Sequence, residues 1–189
     1  MPTCLRCKDL EASIALYEAR IRDLETELGW FRTHRTLARG IAGEVLVVAA
    51  TGGVATPHTA AVDIVLPSGA KIEVKSAGLA RDCRTGGTKW QWGKIFGERN
   101  AKAFDFLLLI GAADKRYADR YAFPGERVLF LVPKADLGDM TAQHTAGARG
   151  MSITTDPARA RGRAARLYTD YQVSADDLSR LVVAEQATA

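Results

Sequence analysis

The chain has 189 residues, 47% hydrophobic and 25% charged, the make-up of a soluble globular protein with room for one main domain and an appendage. Its 26 Lys and Arg outnumber its 22 Asp and Glu, and the pI is near 9.1, a mild basic bias that suits an anionic partner without resembling a histone-like tail. No apolar run reaches the roughly 18 to 20 residues of a membrane span, and MPTCLRCKDLE at the N-terminus lacks the apolar core of a signal peptide, so the expectation is a cytoplasmic protein with no membrane association.

The first predicted element is a long helix. Apolar residues fall at Cys7, Leu10, Ile14, Tyr17, Ile21, Leu24, Leu28 and Phe31, alternating gaps of three and four, which is a heptad seam. With Cys7, Ile14, Ile21 and Leu28 as a positions, the d positions are Leu10, Tyr17, Leu24 and Phe31, and Ile at a with Leu at d favours parallel two-stranded pairing. The g and e positions of such a dimer pair Arg6 with Glu11, Arg20 with Glu25 and Glu27 with Arg32, and set Ser13 beside Glu18, so three pairs attract and none repel. Residues 1–34 are therefore expected to form a homodimeric parallel coiled coil. Three cysteines, an odd number, argue against a secreted disulfide framework. Cys4-x-x-Cys7 heads the seam, and two parallel chains would bring four thiolates together for a structural Zn²⁺; two reduced thiols at a helix end are the plainer reading.

A second helix is predicted over 33–50, with Leu37, Ile41, Val45 and Val48 as its buried stripe and Glu44 beside it, ended by the glycines of TGGV. Beyond a loop with Pro57 and His58 comes AVDIVLPSGAKIEVKSAG (61–78). Pro67-Ser68-Gly69 has the chemistry of a three-residue hairpin loop, and pairing Leu66 with Ala70 sets Val65 against Lys71, Ile64 against Ile72 and Asp63 against Glu73. Alternation then gives Val62, Ile64, Leu66, Ala70, Ile72 and Val74 one face, and Asp63, Glu73 and Lys75 the other. Two carboxylates in a cross-strand pair repel. A divalent cation compensates, since Mg²⁺ accepts one or two carboxylates with waters and phosphate oxygens, and Lys75 can orient an attacking water as an ammonium or deprotonate it as the neutral amine.

Asp63 on one strand and Glu73-Val74-Lys75 on its hairpin partner resemble the motif of the PD-(D/E)XK, or restriction-endonuclease-like, nuclease superfamily, although Val62 stands where the family name has Pro. The resemblance spans about 35–135 and implies a mixed α/β (α+β) fold, a central sheet flanked by helices. It also implies Asp63 and Glu73 as ligands of Mg²⁺ or Mn²⁺, Glu44 as the optional helical ligand, and Lys75 as the positive partner of the attacking water. KWQWGKIFGERNAKAF (89–104) reads as the next helix, and in some branches of the family a Gln or Lys follows there, which puts Gln91 and Lys94 in such a place. Trp90 and Trp92, two apart, cannot share a helical face, so one is expected to be exposed; Trp92, with Lys89 and Lys94, is then a candidate to meet nucleic acid.

Two strands follow, FDFLLLI (104–110) and RVLFLV (127–132), both apolar enough to be buried on two faces. The order α-β-β-α-β-loop-β resembles the core of that nuclease fold, taken here as 35–138. Residues 139–189 read as a basic extension: 134–150 has little periodicity, DPARARGRAARLY carries Arg159, Arg161 and Arg163 as candidate phosphate contacts, and Ser174 caps a closing helix over 174–186. His58 and His144 have no partner motif. The expected activity is Mg²⁺-dependent hydrolysis of double-stranded DNA by a dimer. The alternatives are a non-catalytic nucleic-acid-binding module on the same fold and a nuclease for branched or repair intermediates.

Overall fold

The computed structural model of the chain describes residues 5–57, 60–97, 103–143 and 148–184. The protein divides into two units, Met1–Arg39 and Gly40–Ala189. No helix among the described residues is long and apolar enough to cross a membrane.

In the first unit, α1 (Leu5–Thr33) is a single unbroken helix. Its seam residues Leu10, Ile14, Tyr17, Ile21, Leu24 and Leu28 are all between 40% and 69% exposed. α2 (Arg35–Thr51) begins in this unit and runs into the second. Its buried face is Gly43, Val47 and Thr51, not the expected stripe, for Ile41 and Val45 are exposed. The reason is a close approach at Gly43: a Cβ there would stand 2.4 Å from Ser76 Oγ and 3.3 Å from Val74, contacts that turn the helix onto the line of its glycine.

The second unit holds two sheets. After β1 (Val54–Ala55), β2 (Ile64–Val65) and β3 (Lys71–Ala77), the chain makes β4 (Ala80–Arg81) and β5 (Thr88–Gly97), then β6 (Phe106–Ala112), β7 (Arg127–Pro133), β8 (Ala142–Gln143), β9 (Ala148–Thr154), the helix α3 (Arg163–Asp170), β10 (Gln172–Val173) and the helix α4 (Ala175–Ala184). The larger sheet has the order β1-β2-β3-β6-β7-β10, antiparallel throughout except for the parallel pair β3–β6. The smaller has the order β4-β5-β9-β8 and is antiparallel. The mixed α/β architecture with a mixed sheet between helices matches the expectation in outline.

The segment expected as a helix over 89–104 is instead β5 as far as Gly97, and 98–102 lie outside the described residues. Burial decides it. In a strand, residues two apart share a face, so Trp90 and Trp92 both turn inward and are 0% and 1% exposed. Their rings pack on Phe130 at centroid distances of 5.8 and 6.3 Å. Each indole N–H is satisfied as well, Trp90 donating to the Ala112 carbonyl at 2.8 Å and Trp92 to that of Ile110 at 3.2 Å. A helix would turn one of the two indoles away from this core and lose most of its roughly 2 to 3 kcal/mol of burial.

The large sheet is thus covered on both faces. Val47 of α2 and Leu178 of α4 pack with Ile64, Ile72, Val74 and Leu108 on one side, while the two tryptophans, Leu167 of α3 and Met151 and Ile153 of β9 pack with Leu107, Leu109 and Phe130 on the other. The C-terminal third is therefore no extension: β9 pairs with β5, β10 pairs with β7, and α4 closes the first layer. Ser174 does cap α4, accepting from the Asp177 N–H at 3.0 Å while Asp177 Oδ2 accepts from the Ser174 N–H at 2.9 Å.

One buried carboxylate joins the layers. Asp114, just after β6, accepts from Arg116 Nη2 at 2.7 Å, from Arg116 Nε at 3.0 Å, from Thr155 Oγ1 at 3.0 Å and from Thr88 Oγ1, so the ends of β5, β6 and β9 meet on one group. Hydrogen bonds from the Arg116 guanidinium hold its carboxyl far below the usual range, outweighing the opposite effect of burial, with Thr88 helping. Tyr121, beside it, is pushed up to about 12 by desolvation and donates to the Thr155 carbonyl at 2.9 Å.

A carboxylate with a lowered folded-state pKa stabilises the protein above its unfolded pKa and loses that contribution as pH falls through the folded value. Asp114→Asn is accordingly expected to be less stable than wild type at pH 7, with the difference shrinking once pH drops below about 4; urea unfolding at stepped pH measures it, and a pH-independent difference would sink the account. A packing prediction concerns Gly111, where a Cβ would lie 2.5 to 2.7 Å from the Trp90 indole. Gly111→Ala should cost about 1 to 3 kcal/mol in urea unfolding, because the ring it meets is locked on all sides.

Candidate active site

The turn chemistry of Pro67-Ser68-Gly69 sets the hairpin as the sequence predicts. Leu66 N–H donates to the Ala70 carbonyl at 2.8 Å, Gly69 takes φ +90°, and the ladder pairs Ile64 with Ile72 and Val65 with Lys71. Carried one step further, this register would give the Val74 N–H to the carbonyl of Val62. It does not, because the chain bends out of the strand at 61–63. The Val62 carbonyl accepts instead from Thr56 Oγ1, and Val62 packs in the layer opposite to Ile64, which breaks the expected single apolar face. The vacated N–H of Val74 is taken by the Asp63 carboxylate, Oδ2 accepting at 2.8 Å.

Asp63 therefore reaches the N–H of Val74, the residue between Glu73 and Lys75. Glu73 is fully buried, and its Oε1 is ion-paired with Lys75 Nζ, whose side chain keeps 22% of its exposure. Asp63 is half-buried, and its Oδ1 makes no hydrogen bond among the described residues. The three motif residues are thus neighbours, as expected, but the like-charge repulsion anticipated between Asp63 and Glu73 is met within the chain itself, by an N–H on one carboxylate and an ammonium on the other.

A hard divalent ion still suits the donors present, since Mg²⁺ takes one or two carboxylate oxygens and completes its shell with water and phosphate. Glu44 is half-buried on α2, and among the described residues no three His, Cys, Asp or Glu gather as a metal-holding group. α2 packs at Gly43 on the Val74 and Ser76 side of β3, and strand alternation sends Glu73 and Lys75 to the other side.

The remaining expected residues scatter. Gln91 lies on β5 opposite Ser152 and is exposed, on the face away from Trp90 and Trp92 and hence away from the large sheet, so it does not share the hairpin's site. Trp92 is buried and offers no surface for base stacking. Lys89 pairs with Asp82 at 3.8 Å, and Lys94, exposed with φ +53°, sits in the bulge of β5 between Trp92 and Phe96. Arg159 pairs with Asp156 at 3.7 Å. Arg161 Nη1 donates to the Ala158 and Ala160 carbonyls at 3.0 and 2.7 Å, and Arg163 Nη1 to those of Asp139 and Thr141 at 3.4 and 3.3 Å. Arg161 and Arg163 border a cavity of about 260 Å³ floored by Met140, Met151, Ile153 and Leu167. Cys4, His58 and His144 lie outside the described residues, as does the side chain of Cys7, and with them the expected zinc site.

Sequence reasoning missed the Asp114 cluster, whose signal was an acid directly after the apolar run of β6. It also missed that Asp63 acts on a backbone N–H, which only the departure of the strand at 61–63 reveals. Compared with models of known protein families and with curated proteins, the chain matches none, so its site is read from its own residues.

Because Asp63 serves the fold as well as any chemistry, its two variants should separate. Asp63→Ala leaves a part-buried N–H without its acceptor and should cost about 1 to 3 kcal/mol in thermal or urea unfolding. Asp63→Asn keeps an oxygen for Val74 and should lose less than half of that. Equal stability of both variants with wild type would show that the bond is idle.

Proposed function

We propose that the protein is a metal-dependent nuclease that hydrolyses DNA phosphodiester bonds at the β2–β3 hairpin, on a core of restriction-endonuclease-like type. The observation that carries this reading is the contact of Asp63 with the N–H of Val74, the residue between Glu73 and Lys75, which gathers two carboxylates and an ammonium at one point of an otherwise apolar hairpin. Asp63 and Lys75 are partly exposed and Glu73 is not, so the exposed pair is where a substrate phosphate meets the site. Asp63 and Glu73 are the residues that would hold Mg²⁺ or Mn²⁺, and Gln91, on the far face of β5, is not among them. The ion, when bound, supplies charge for the phosphoryl oxygen and acidity for a water. Lys75 contributes the fixed positive charge that holds the attacking water or the phosphate oxygen, and the Val74 N–H fixes the angle of the Asp63 carboxylate.

Arg161 and Arg163 support an anionic substrate of some length. Each anchors Nη1 on a backbone carbonyl, and a guanidinium has five donors, so others remain for phosphate oxygens. A non-catalytic nucleic-acid-binding module is the competing reading, favoured by the structural tasks that Asp63 and Glu73 already perform.

The full chain is incubated with supercoiled plasmid and with linear and branched labelled duplexes, in Mg²⁺ or in EDTA, beside Asp63→Asn. Nicking in Mg²⁺ alone, reduced roughly a hundredfold or more by the substitution, is the expected result, the scale reached when one partner of a transition-state charge is removed. Binding without cleavage of any substrate would replace the nuclease by the module, and absence of both would end the nucleic-acid reading. Lys75→Ala is a weaker test, since it strips a buried carboxylate of its partner and perturbs folding as well as chemistry.

A further inference from the structure

We infer that α1 is a docking surface for a second copy of this chain, the two helices lying parallel and in register as a coiled coil. Six seam residues, Leu10, Ile14, Tyr17, Ile21, Leu24 and Leu28, stand 40% to 69% exposed along one unbroken helix of 29 residues. An amphipathic helix owes most of its stability to a covered apolar face, and a 3.5-residue seam of two positions per heptad fits one partner helix of the same kind. Ile14 and Ile21 at a, with Leu10 and Leu24 at d, are the residue types that select two parallel strands.

Charge decides the partner and its direction. Parallel pairing of the chain with itself brings Arg6 to Glu11, Arg20 to Glu25 and Glu27 to Arg32, each pair occurring twice by symmetry, with no repulsive pair. Antiparallel overlap sets e positions beside e and g beside g; it opposes Glu18 to Glu25 and offers only two attractive pairings, Glu11 with Arg32 and Arg6 with Glu27, so the parallel arrangement has the better charge match. A helix whose flanking charges match best with a parallel copy of itself supplies its own partner.

Light scattering on the full chain at tens of micromolar is expected to give the mass of two chains of 20.4 kDa. Ile14→Lys with Ile21→Lys should give one chain, with the circular dichroism of the Gly40–Ala189 unit retained. Arg20→Glu, which puts two acids together, should raise the dissociation constant about tenfold, and adding Glu25→Arg should restore it. Direction is read in a chain with Cys4, Cys7 and Cys83 changed to Ser: Ile14→Cys should oxidise to a covalent dimer, because parallel a positions meet, whereas full antiparallel overlap leaves them about 15 Å apart. A wild-type monomer, a dimer that survives both lysines, or a dimeric Ile14→Cys chain that resists cross-linking would each overturn the inference. The mass is measured without reference to cleavage, so this result and the nuclease assay fail independently.

Discussion

Trp90 and Trp92 are packed between two sheets, and that placement closes the second face of β3. A hairpin with one face in water can carry carboxylates at little cost. Here the face opposite to α2 is roofed by β5, so Glu73 enters the protein with no exposure at all and its charge must be matched on the spot. Lys75 matches it because two residues along a strand is the shortest spacing that returns to the same face, and because its long stem lets the ammonium stay near solvent while its partner does not. The Glu-x-Lys spacing is thus a consequence of strand geometry under a roof, before any chemistry is asked of it.

The end of the hairpin follows from the same crowding. β2 is only two residues long and leaves the ladder at 61–63, where Val62 turns into the tryptophan layer. A strand that departs leaves an N–H behind, and Asp63 fills the vacancy at Val74. The acid is therefore held by the fold beside Glu73 and Lys75. This double duty shapes the choice of variants: truncating either acid or the lysine removes a structural partner, while exchanging carboxylate for amide alters charge and keeps the bond.

Much of the local architecture was legible. Pro67-Ser68-Gly69 gave away the register of β2 with β3, the apolar runs gave away β6 and β7, and Ser174 marked the start of α4. The failures share one cause, which is that helical and strand periods were weighed without knowing what lay above each segment. K-W-Q-W alternates as a strand does, although 89–104 reads as a helix in the sequence, and the packing of both indoles on Phe130 shows why they turn the same way. The face of α2 was misjudged because the deciding residue, Gly43, has no side chain to announce itself. Gln91 was placed near the site by the resemblance together with an expected helix, and as a strand residue it faces away from the large sheet instead.

The C-terminal arginines acquire a different meaning from the same geometry. On a loose basic tail they would be adaptable charges whose ordering on a ligand costs entropy. They are instead carried on segments pinned from below, for Leu167 of α3 is fully buried, Ala160 is buried, and Asp156 caps the turn before them by accepting from the Ala158 N–H at 3.1 Å. Arg161 and Arg163 are in addition tied to carbonyls on either side of the cavity they border. A guanidinium already held by one of its nitrogens loses little further freedom when its remaining donors meet an anion. The surface that these arginines form is consequently set by the core rather than by a tail that must first be ordered.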